Sequence, residues 1–465
     1  MRFTSTRHGC EPVSLSAALR QGLAGDGGLY VPEAWPQLAP RAAPQDLPAL
    51  ACEVLGEFVT GDALEGPLAD IAREAFNFPA PLVSLDAARA LFALELFHGP
   101  TAAFKDFGAR FLAAALARLC AAAGAGGAAA GAGGAAAGAG GAGSAAAGAG
   151  GAAAGAGGAA AVRPLTILVA TSGDTGGAVA AAFHRRPGVE VAVLFPKGLV
   201  SPTQQQQLTC WGDNVRSLAV RGRFDDCQRL VKEAFADARW RARAELSSAN
   251  SINLGRLLPQ TVYYWAASLA LQRSLGRPAS FVIPSGNLGN ATACVWARRS
   301  GAPIGSIVLA HNANRTVPDY LHEGALRPRP SVATLSSAMD VGDPSNLERL
   351  TALYPSAAAL RAAVSAVSVD DAATRARIRA DYERYGRVWC PHSAVAAEAY
   401  ARLPDAAASG PWVIVATAHP AKFREIVEPL IGRPLPLPAN LARLFERPSR
   451  FVEIDASLAA LQGAL

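Results

Sequence analysis

Three stretches of the chain repeat one pattern of apolar and polar positions. Each starts with a short apolar run, continues through a small polar turn and ends in an amphipathic stretch. The runs are LTILVA at 165–170, SFVIP at 280–284 and WVIVA at 412–416, followed by TSGDTGGA, SGNLGNA and TAHPAKF. Strand, tight turn and helix in alternation predict an α/β fold, with a parallel sheet covered on both faces. Ligands of such sheets bind beyond the carboxyl ends of the strands, so all three turns are predicted to line one cleft.

The remaining patterns indicate several domains. A chain of 465 residues is longer than a single hydrophobic core usually accommodates. Residues 1–90 contain helical patterns (SLSAALRQGL and DLPALACEVLGEFV) and a GDGGLYVPE turn, which indicates an N-terminal cap region. We expect a smaller α/β domain over 91–215 and a larger one over 216–465. A helix is predicted at about 107–120, and the segment 340–400 is predicted to be mostly helical.

Residues 121–161 consist of 24 Ala, 16 Gly and one Ser. Glycine is costly to order and alanine offers little apolar area, so this tract is not expected to build a packed core. We interpret it as a disordered insertion in the smaller domain, since glycine at every second or third position removes the helix preference of alanine. The alternative is an additional Ala-rich helix.

The charge pattern limits the class of partner. The formal net charge is +6 and the pI about 9.1, which is mild for this length, and the basic residues are scattered. Nucleic-acid binding would need a basic face or a known module, so no nucleic-acid partner is expected. A few arginines are better suited to an anionic small molecule.

Seven cysteines lie far apart without a CxxC pair. This spacing argues against a disulfide framework or a zinc site and suits reduced thiols in the cytoplasm. The first residues have no apolar segment typical of a signal peptide, and no run of about 18 bulky apolar residues occurs. We therefore expect a cytoplasmic protein without a membrane partner.

Two of the three turns have the composition of anion sites. SGNLGNA (285–291) would present several backbone N–H groups at the start of a helix, as phosphate-binding turns do. The alternative is a tight turn that requires glycine for its backbone conformation and binds no anion. TSGDTGG (171–177) adds the side-chain oxygens of Ser172, Asp174 and Thr175. These suit a carboxylate or a phenolate oxygen, or they cap the helix, and both roles are compatible.

Lys105 lies in ELFHGPTAAFKDFGARF (95–111), between Phe104 and Phe107. An apolar setting lowers the pKa of a lysine and leaves its amine able to form an imine. By itself, a lysine extending from an amphipathic helix is the more common explanation.

The segment HGPTAAFKDFGARF resembles the pyridoxal-lysine segment of threonine synthases of the bacterial and fungal branch. Further matches follow in the family's order: SGDTGGA, NSIN with R-LPQ at 250–260, SGNLGNA, MDVGDPSN, CPHSAVA and TAHPAKF, with STRHG and DGGLYVPE near the start. The resemblance covers nearly the whole chain outside 121–161. It implies pyridoxal 5'-phosphate as cofactor and the fold type II architecture of these enzymes, with parallel sheets flanked by helices in two main domains.

The resemblance also implies roles for individual residues. Lys105 would form the imine with the cofactor, and Thr417 would face its pyridine nitrogen. The cofactor phosphate would lie on Gly286, Asn287, Leu288, Gly289 and Asn290. Ser172, Asp174 and Thr175 would meet the substrate carboxylate or the ring oxygen of the cofactor. The substrate phosphate would bind Asn250, Ser251 and Arg256, where a guanidinium fork fits best.

Three features depart from the family pattern. Leu288 stands where phenylalanine is frequent, Leu254-Gly255 replaces a Trp-Ala pair, and the Ala/Gly tract separates the lysine helix from the next strand. Backbone amides bind the anion, so the change at Leu288 is expected to be harmless, whereas the change at Leu254-Gly255 is expected to alter the packing beside Arg256. His98, His392 and His419 lie in matched segments, but their spacing indicates no metal site, and we expect them to be structural or to support the residues that contact the ligands.

The implied reaction converts O-phospho-L-homoserine and water to L-threonine and phosphate. The nearest alternatives are a phosphohomoserine-degrading lyase and a serine/threonine dehydratase, and Arg256 argues against the dehydratase because that substrate has no phosphate. A non-catalytic relative that only binds ligands would not need Lys105, and the fold alone does not decide between these functions. A monomer or a homodimer is expected.

Overall fold

The computed structural model describes residues 1–41, 43–135, 164–404 and 410–465, with the backbone alone for 124–135. The strands of these residues, β1 to β13 in chain order, are Phe3–Ser5, Tyr30–Pro32, Leu82–Asp86, Leu91–Glu95, Leu165–Ala170, Val189–Pro196, Val215–Arg221, Glu245–Ser248, Ala279–Pro284, Ile304–His311, Ser365–Ser368, Trp412–Ala416 and Val452–Asp455.

The helices of the same residues, α1 to α19, are Leu15–Gln21, Leu47–Val59, Leu68–Ala75, Lys105–Ala135, Asp174–Phe183, Pro202–Thr209, Phe224–Ala236, Ala238–Arg243, Leu254–Leu257, Thr261–Leu275, Gly289–Arg299, Thr316–Glu323, Leu347–Leu353, Ala357–Ala363, Asp371–Tyr385, Pro391–Ala401, Arg424–Ile431, Ala439–Phe445 and Leu458–Gly463. Short 3₁₀ helices lie at Leu258–Gln260, Ser337–Met339 and Pro420–Phe423. None of the helices in the described part of the chain is long and apolar enough to cross a membrane.

Two sheets dominate the fold. One has six strands in the order β11-β10-β9-β12-β4-β3, parallel except for the antiparallel β3–β4 pair. The other has five parallel strands in the order β13-β7-β6-β5-β8. The predicted α/β class with parallel sheets and flanking helices is confirmed. The three strand–turn–helix units are divided between the sheets, however, with β5 in the smaller one and β9 and β12 in the larger one.

Successive residues of the buried strands point to different cores, as the twofold repeat of a strand requires. In β5, Ile167 and Val169 join the largest cluster, while Leu168 lies in a separate cluster with α7. In β12, Val413 belongs to the largest cluster and Ile414 to the one formed with α16. Burial on both faces explains why these strands are continuous apolar runs.

The strand pairing divides the chain differently from the predicted domains. The predicted boundary between 215 and 216 falls within β7, and β13 returns from the C-terminal part to pair with β7 in the smaller sheet. Strand β3 begins the larger sheet inside the predicted cap region. The cap helices themselves are present, but α2 and α3 pack on α10 and α4 within the largest core. The sequence did not reveal these crossings because no local pattern specifies the partner of a strand.

The helix predicted at 107–120 begins at Lys105 and continues to Ala135, into the Ala/Gly tract. The preference of alanine for helix is therefore sufficient to extend α4 beyond its packed part. The interpretation of the tract as a disordered insertion is revised for 121–135, and 136–161 lies outside the described residues. The segment 340–400 is mostly helical as predicted, with the addition of the edge strand β11.

Candidate active site

The three polar turns meet at one cavity between the two sheets. Its volume is about 120 Å³, against roughly 10–15 Å³ by the same measure for a single water, so it accommodates a ligand. The site residues predicted from the sequence all line it: Lys105, Ser172, Asp174, Thr175, Asn250, Ser251, Arg256, Gly286, Asn287, Leu288, Gly289, Asn290 and Thr417. The convergence arises because the carboxyl ends of strands from both sheets face the same space.

The segment that precedes Lys105 is fastened to the segment that follows β12. The backbone N–H of Phe104 donates to the Thr417 carbonyl at 2.9 Å, and His419 N–H donates to the Ala102 carbonyl at 3.0 Å. Asp106 caps the turn by accepting from the backbone N–H of Thr101 at 2.8 Å. These bonds fix Lys105 as the first residue of α4, with its side chain directed into the cavity.

The amine of Lys105 lies among charged groups in a buried setting. Its Nζ is 3.9 Å from Asp174 Oδ2 and 4.5 Å from the centre of the Phe104 ring. Burial lowers the pKa of Lys105 to about 8; the carboxylate of Asp174 opposes this shift, and the charges of Lys422 and Arg256 add to it. The amine is therefore partly unprotonated near neutral pH, as a nucleophilic lysine requires.

Lys422 is a second lysine at this site, and sequence reasoning gave it no role. Its side chain is 0% exposed, and its Nζ lies 2.9 Å from Asp174 Oδ1 and donates to the Thr101 carbonyl at 2.9 Å. Lys105 lines the cavity, whereas Lys422 lies behind Asp174. Only Lys105 of this pair is therefore placed to meet a ligand.

Asp174 contacts both lysines. Burial raises the pKa of its carboxyl, but the charges of Lys422 and Lys105 outweigh burial and hold the pKa well below its usual range. Gln204 Nε2 also donates to its Oδ1, at 3.0 Å. The predicted contact of Asp174 with a ligand stays a prediction, since the contacts that the structure shows are with the two lysines and Gln204. Ser172 and Thr175 are half-buried on the same turn and face the cavity.

The turn at 286–290 has the geometry of an anion cradle. Leu288 has a positive φ of 62° and leads directly into α11, so the turn lies at the positive end of that helix. At Gly286 a Cβ atom would come within 2.7 Å of Met339 Cα, which accounts for the glycine. The Oδ1 of Asn290 accepts from the hydroxyls of Tyr263 and Tyr264, each at 2.7 Å, while its Nδ2 is buried without a protein partner in the described structure.

Arg256 approaches the cavity from α9. The side chain is 2% exposed, donates through Nη1 to the Ala249 carbonyl, and has a buried Nε without a partner in the described structure. Burial lowers its pKa to about 10, and Asp106 opposes this shift. The guanidinium thus remains cationic and has donor capacity for an anion.

Asn250 and Ser251 have partners within the protein. Asn250 bonds to the backbone of Ala170, donating through Nδ2 to the carbonyl at 2.7 Å. The Ser251 hydroxyl oxygen accepts from Asn287 Nδ2 at 2.8 Å. Both residues thus link the 250–256 segment to the turns beside it, and their contact with a substrate phosphate stays a prediction.

Of the three histidines, His392 alone lines the cavity. Its Nε2 accepts from the backbone N–H of Ala338 at 3.1 Å, and its Nδ1 is buried without a partner in the described structure. Burial lowers the pKa of His392 to about 4, so the ring is neutral. His98 bonds to Glu95 at 2.7 Å, and His419 accepts from Ala421 N–H at 3.2 Å, in agreement with the structural roles predicted for them.

Sequence reasoning also missed other parts of the wall. Residues 338–341 and the side chains of Phe224 and Gln228 on α7 complete the cavity. The MDVGDPSN motif signalled the first group, whereas no local pattern marked α7. In the described part of the chain, no group of three or more His, Cys, Asp or Glu side chains is arranged to hold a metal ion.

Residues 148–418 match the family described as pyridoxal-phosphate dependent enzyme. The residues of the cavity fit that cofactor, since a lysine amine faces a helix-capped anion cradle across a buried space. Asn290 Nδ2 supplies a donor that has no protein partner among the described residues. The fold and the site thus define a pyridoxal-phosphate-dependent enzyme.

More specific matches flank and span this region. Residues 2–76 match the family threonine synthase N terminus, and 393–464 match threonine synthase, C-terminal. Threonine synthase of Haemophilus influenzae is 38% identical over 100% of this chain and 99% of the relative. The chain belongs to the threonine synthase family.

Solved structures agree with this assignment. Threonine synthase from Escherichia coli superimposes with a TM-score of 0.82 at 34% identity, covering 100% of this chain and 99% of the other. The PLP-bound threonine synthase from Brucella melitensis gives 0.83 at 33% identity, covering 100% and 98%.

Proposed function

We propose that the chain converts O-phospho-L-homoserine and water to L-threonine and phosphate, the last step of threonine biosynthesis. The observation that carries this proposal is a single cavity holding a lysine amine, an uncharged anion cradle and a separate buried arginine. Two anion sites in one cavity suit a phosphorylated cofactor and a phosphorylated substrate. Membership of the threonine synthase family supports the same reaction.

When bound, pyridoxal phosphate withdraws electrons from the substrate carbon attached to the amine. The protein supplies the rest of the chemistry. The cradle at 286–290 would hold the cofactor phosphate through helix-directed amides, and Thr417 would offer the pyridine nitrogen a hydroxyl in place of a charged group. Lys105 Nζ is the base that takes the proton from the substrate Cα, because it is the amine that opens into the cavity.

Arg256, with Asn250 and Ser251 beside it, holds the γ-phosphate and orients it as a leaving group. Ser172 and Thr175 bind the substrate carboxylate through hydroxyl donors. Water adds at Cβ, with Lys105 or the departing phosphate as proton carrier. Burial of the walls excludes bulk water and strengthens each of these contacts.

The test is product identification with the purified, cofactor-loaded chain. With O-phospho-L-homoserine we expect phosphate and L-threonine in equal amounts, and no turnover with the matched variant Lys105→Ala. Release of 2-oxobutanoate and ammonia would show the phosphohomoserine-degrading lyase instead. Turnover of L-serine or L-threonine, without turnover of the phosphorylated substrate, would show the dehydratase.

We also propose the cellular compartment and the oligomeric state of the enzyme. Its seven cysteines are unpaired, which supports the reducing cytoplasm. A monomer or homodimer without a nucleic-acid partner remains our expectation, and the elution volume of the purified chain on a calibrated column distinguishes the two states.

A further inference from the structure

The reaction described above leaves Lys422 without a task, although the fold holds its charge in the interior. A buried ammonium is strongly unfavourable unless it is paired and hydrogen-bonded. Lys422 meets that condition through Asp174 Oδ1 and the Thr101 carbonyl, each at 2.9 Å. Its 3₁₀ helix, Pro420–Phe423, directly follows the Thr417 segment that fastens Lys105. The charge of Lys422 is therefore held directly behind the wall of the active site, against Asp174.

Asp174 connects this charge to the reactive amine. Lys422 Nζ and Gln204 Nε2 both contact Oδ1, at 2.9 and 3.0 Å, and Oδ2 lies 3.9 Å from Lys105 Nζ. The first two contacts fix the orientation of the carboxylate. The contact with Lys422 also means that the negative charge of Asp174 is shared by two cations, Lys422 and Lys105. The carboxylate therefore stabilises the charged form of Lys105 less than it would alone.

We propose that Lys422 is a positioning residue that acts through Asp174 to keep the amine of Lys105 reactive near neutral pH. Without Lys422, the carboxylate of Asp174 would pair with Lys105 alone and stabilise the protonated, unreactive amine. With Lys422 present, the net charge around the amine is more positive, and the unprotonated form is favoured.

The other groups that face Lys105 are consistent with this arrangement. Arg256 on α9 also favours the unprotonated amine, whereas Cys390, at the start of α16, would oppose it only as a thiolate. Burial raises the pKa of that thiol and lowers the pKa of His392, so both groups are uncharged near neutral pH. Asp174 and Lys422 are thus the pair whose removal has opposite consequences for Lys105.

The experiment measures the reaction of pyridoxal phosphate with the full-length chain freed of cofactor. It follows the rate of imine absorbance as a function of pH and needs no substrate. The inference rests on the cofactor chemistry of the proposed function, but a failure to form threonine would leave these rates unaffected. For the unaltered chain the rate is expected to rise with pH with a midpoint at about pH 8, where half of the amine has lost its proton, and to level off above it.

Lys422→Met is expected to move this midpoint upward by roughly one pH unit, an about tenfold slower reaction at pH 7. Asp174→Asn is expected to move it downward, and the double variant to lie between the two. Lys422→Arg keeps the charge and is expected to stay near the unaltered chain. The matched control is Lys197→Met, because Lys197 pairs with Glu453 on the exposed surface, away from the cavity.

Opposite shifts in the two single variants would establish the proposal. Equal slowing at every pH, or shifts in the same direction, would overturn it and leave Lys422 a purely structural residue. If Lys422→Met does not fold, as judged by circular dichroism, Lys422→Gln takes its place because it keeps a polar group beside Asp174, and an unmoved midpoint in that variant contradicts the proposal.

Discussion

The two ends of the cavity bind by different means. The cradle at 286–290 contains no charged side chain and relies on backbone amides, a helix dipole and Asn290. The charged end contains the ionisable side chains of Lys105, Asp174 and Arg256, with the buried Lys422 behind Asp174. Oriented dipoles suffice for an anion that stays bound through many turnovers. Charges are concentrated where a proton moves and a phosphate leaves, since they are most effective in a buried site.

The largest expected effect tests the charged end at its reactive atom. Lys105→Ala removes the amine that opens into the cavity, so turnover and the visible imine absorbance should both be lost. Borohydride treatment followed by peptide mapping measures this directly. If Lys422 became labelled in the variant, or an imine persisted, the distinction drawn between the two lysines would be wrong.

A smaller effect on catalysis is expected at Arg256, whose substitution tests whether the substrate phosphate and the cofactor phosphate bind at separate sites. Arg256→Ala should raise KM for phosphohomoserine by roughly one to two orders of magnitude, about 1.5–3 kcal/mol for a charged hydrogen bond. Cofactor retention should barely change, because the cradle lies on a different element. Arg256→Lys should also weaken substrate use, since lysine lacks the two-pronged fork.

Steady-state kinetics and cofactor titration on the same protein preparation separate these outcomes. An unchanged KM would move the substrate phosphate to another part of the cavity. A parallel loss of cofactor would show that the two ends are not independent.

The smallest effect tests the uncharged end. Gly286→Ala places a methyl group 2.7 Å from Met339 Cα, so the turn must shift, and cofactor affinity should fall by roughly tenfold, or about 1.4 kcal/mol. Leu288→Met is the matched control, because it preserves side-chain volume and leaves the amides in place. Fluorescence titration with pyridoxal phosphate measures both, and equal losses would indicate that side-chain packing, not the backbone, makes the cradle.

Sequence reasoning predicted the cavity well because strand ends and turn residues are local signals. The runs at 165–170, 280–284 and 412–416 each became a buried strand, and the turn after each lines the site. The apolar strands β6 and β10 carry similar signals and were overlooked. Strands β8 (ELSS) and β13 (VEID) are short and polar, and only pairing with a neighbour makes them strands.

The residues that were missed depend on distant partners. Lys422 lies within TAHPAKF, but its contact with Asp174 joins segments that belong to different strand–turn–helix units. A sequence read from one end to the other does not show that a buried lysine has a carboxylate 248 residues away (422 minus 174) as its partner. The same reason applies to the division of the three units between two sheets.

The position of β12 has a consequence for how the protein is made. This strand lies between β4 and β9 and pairs Trp412 with Leu91, so the Lys105 segment has no Thr417 carbonyl to bind until residue 417 has been synthesised. Translation of that interval takes on the order of tens of seconds. During this time the nascent chain exposes the edge of β4 and, once residues 279–284 have been made, the edge of β9, and a shortened product that ends before β12 lacks the site. Binding of the cofactor therefore indicates that β12 has been inserted into the larger sheet, and the absorbance of the bound cofactor can serve as a signal of completed folding.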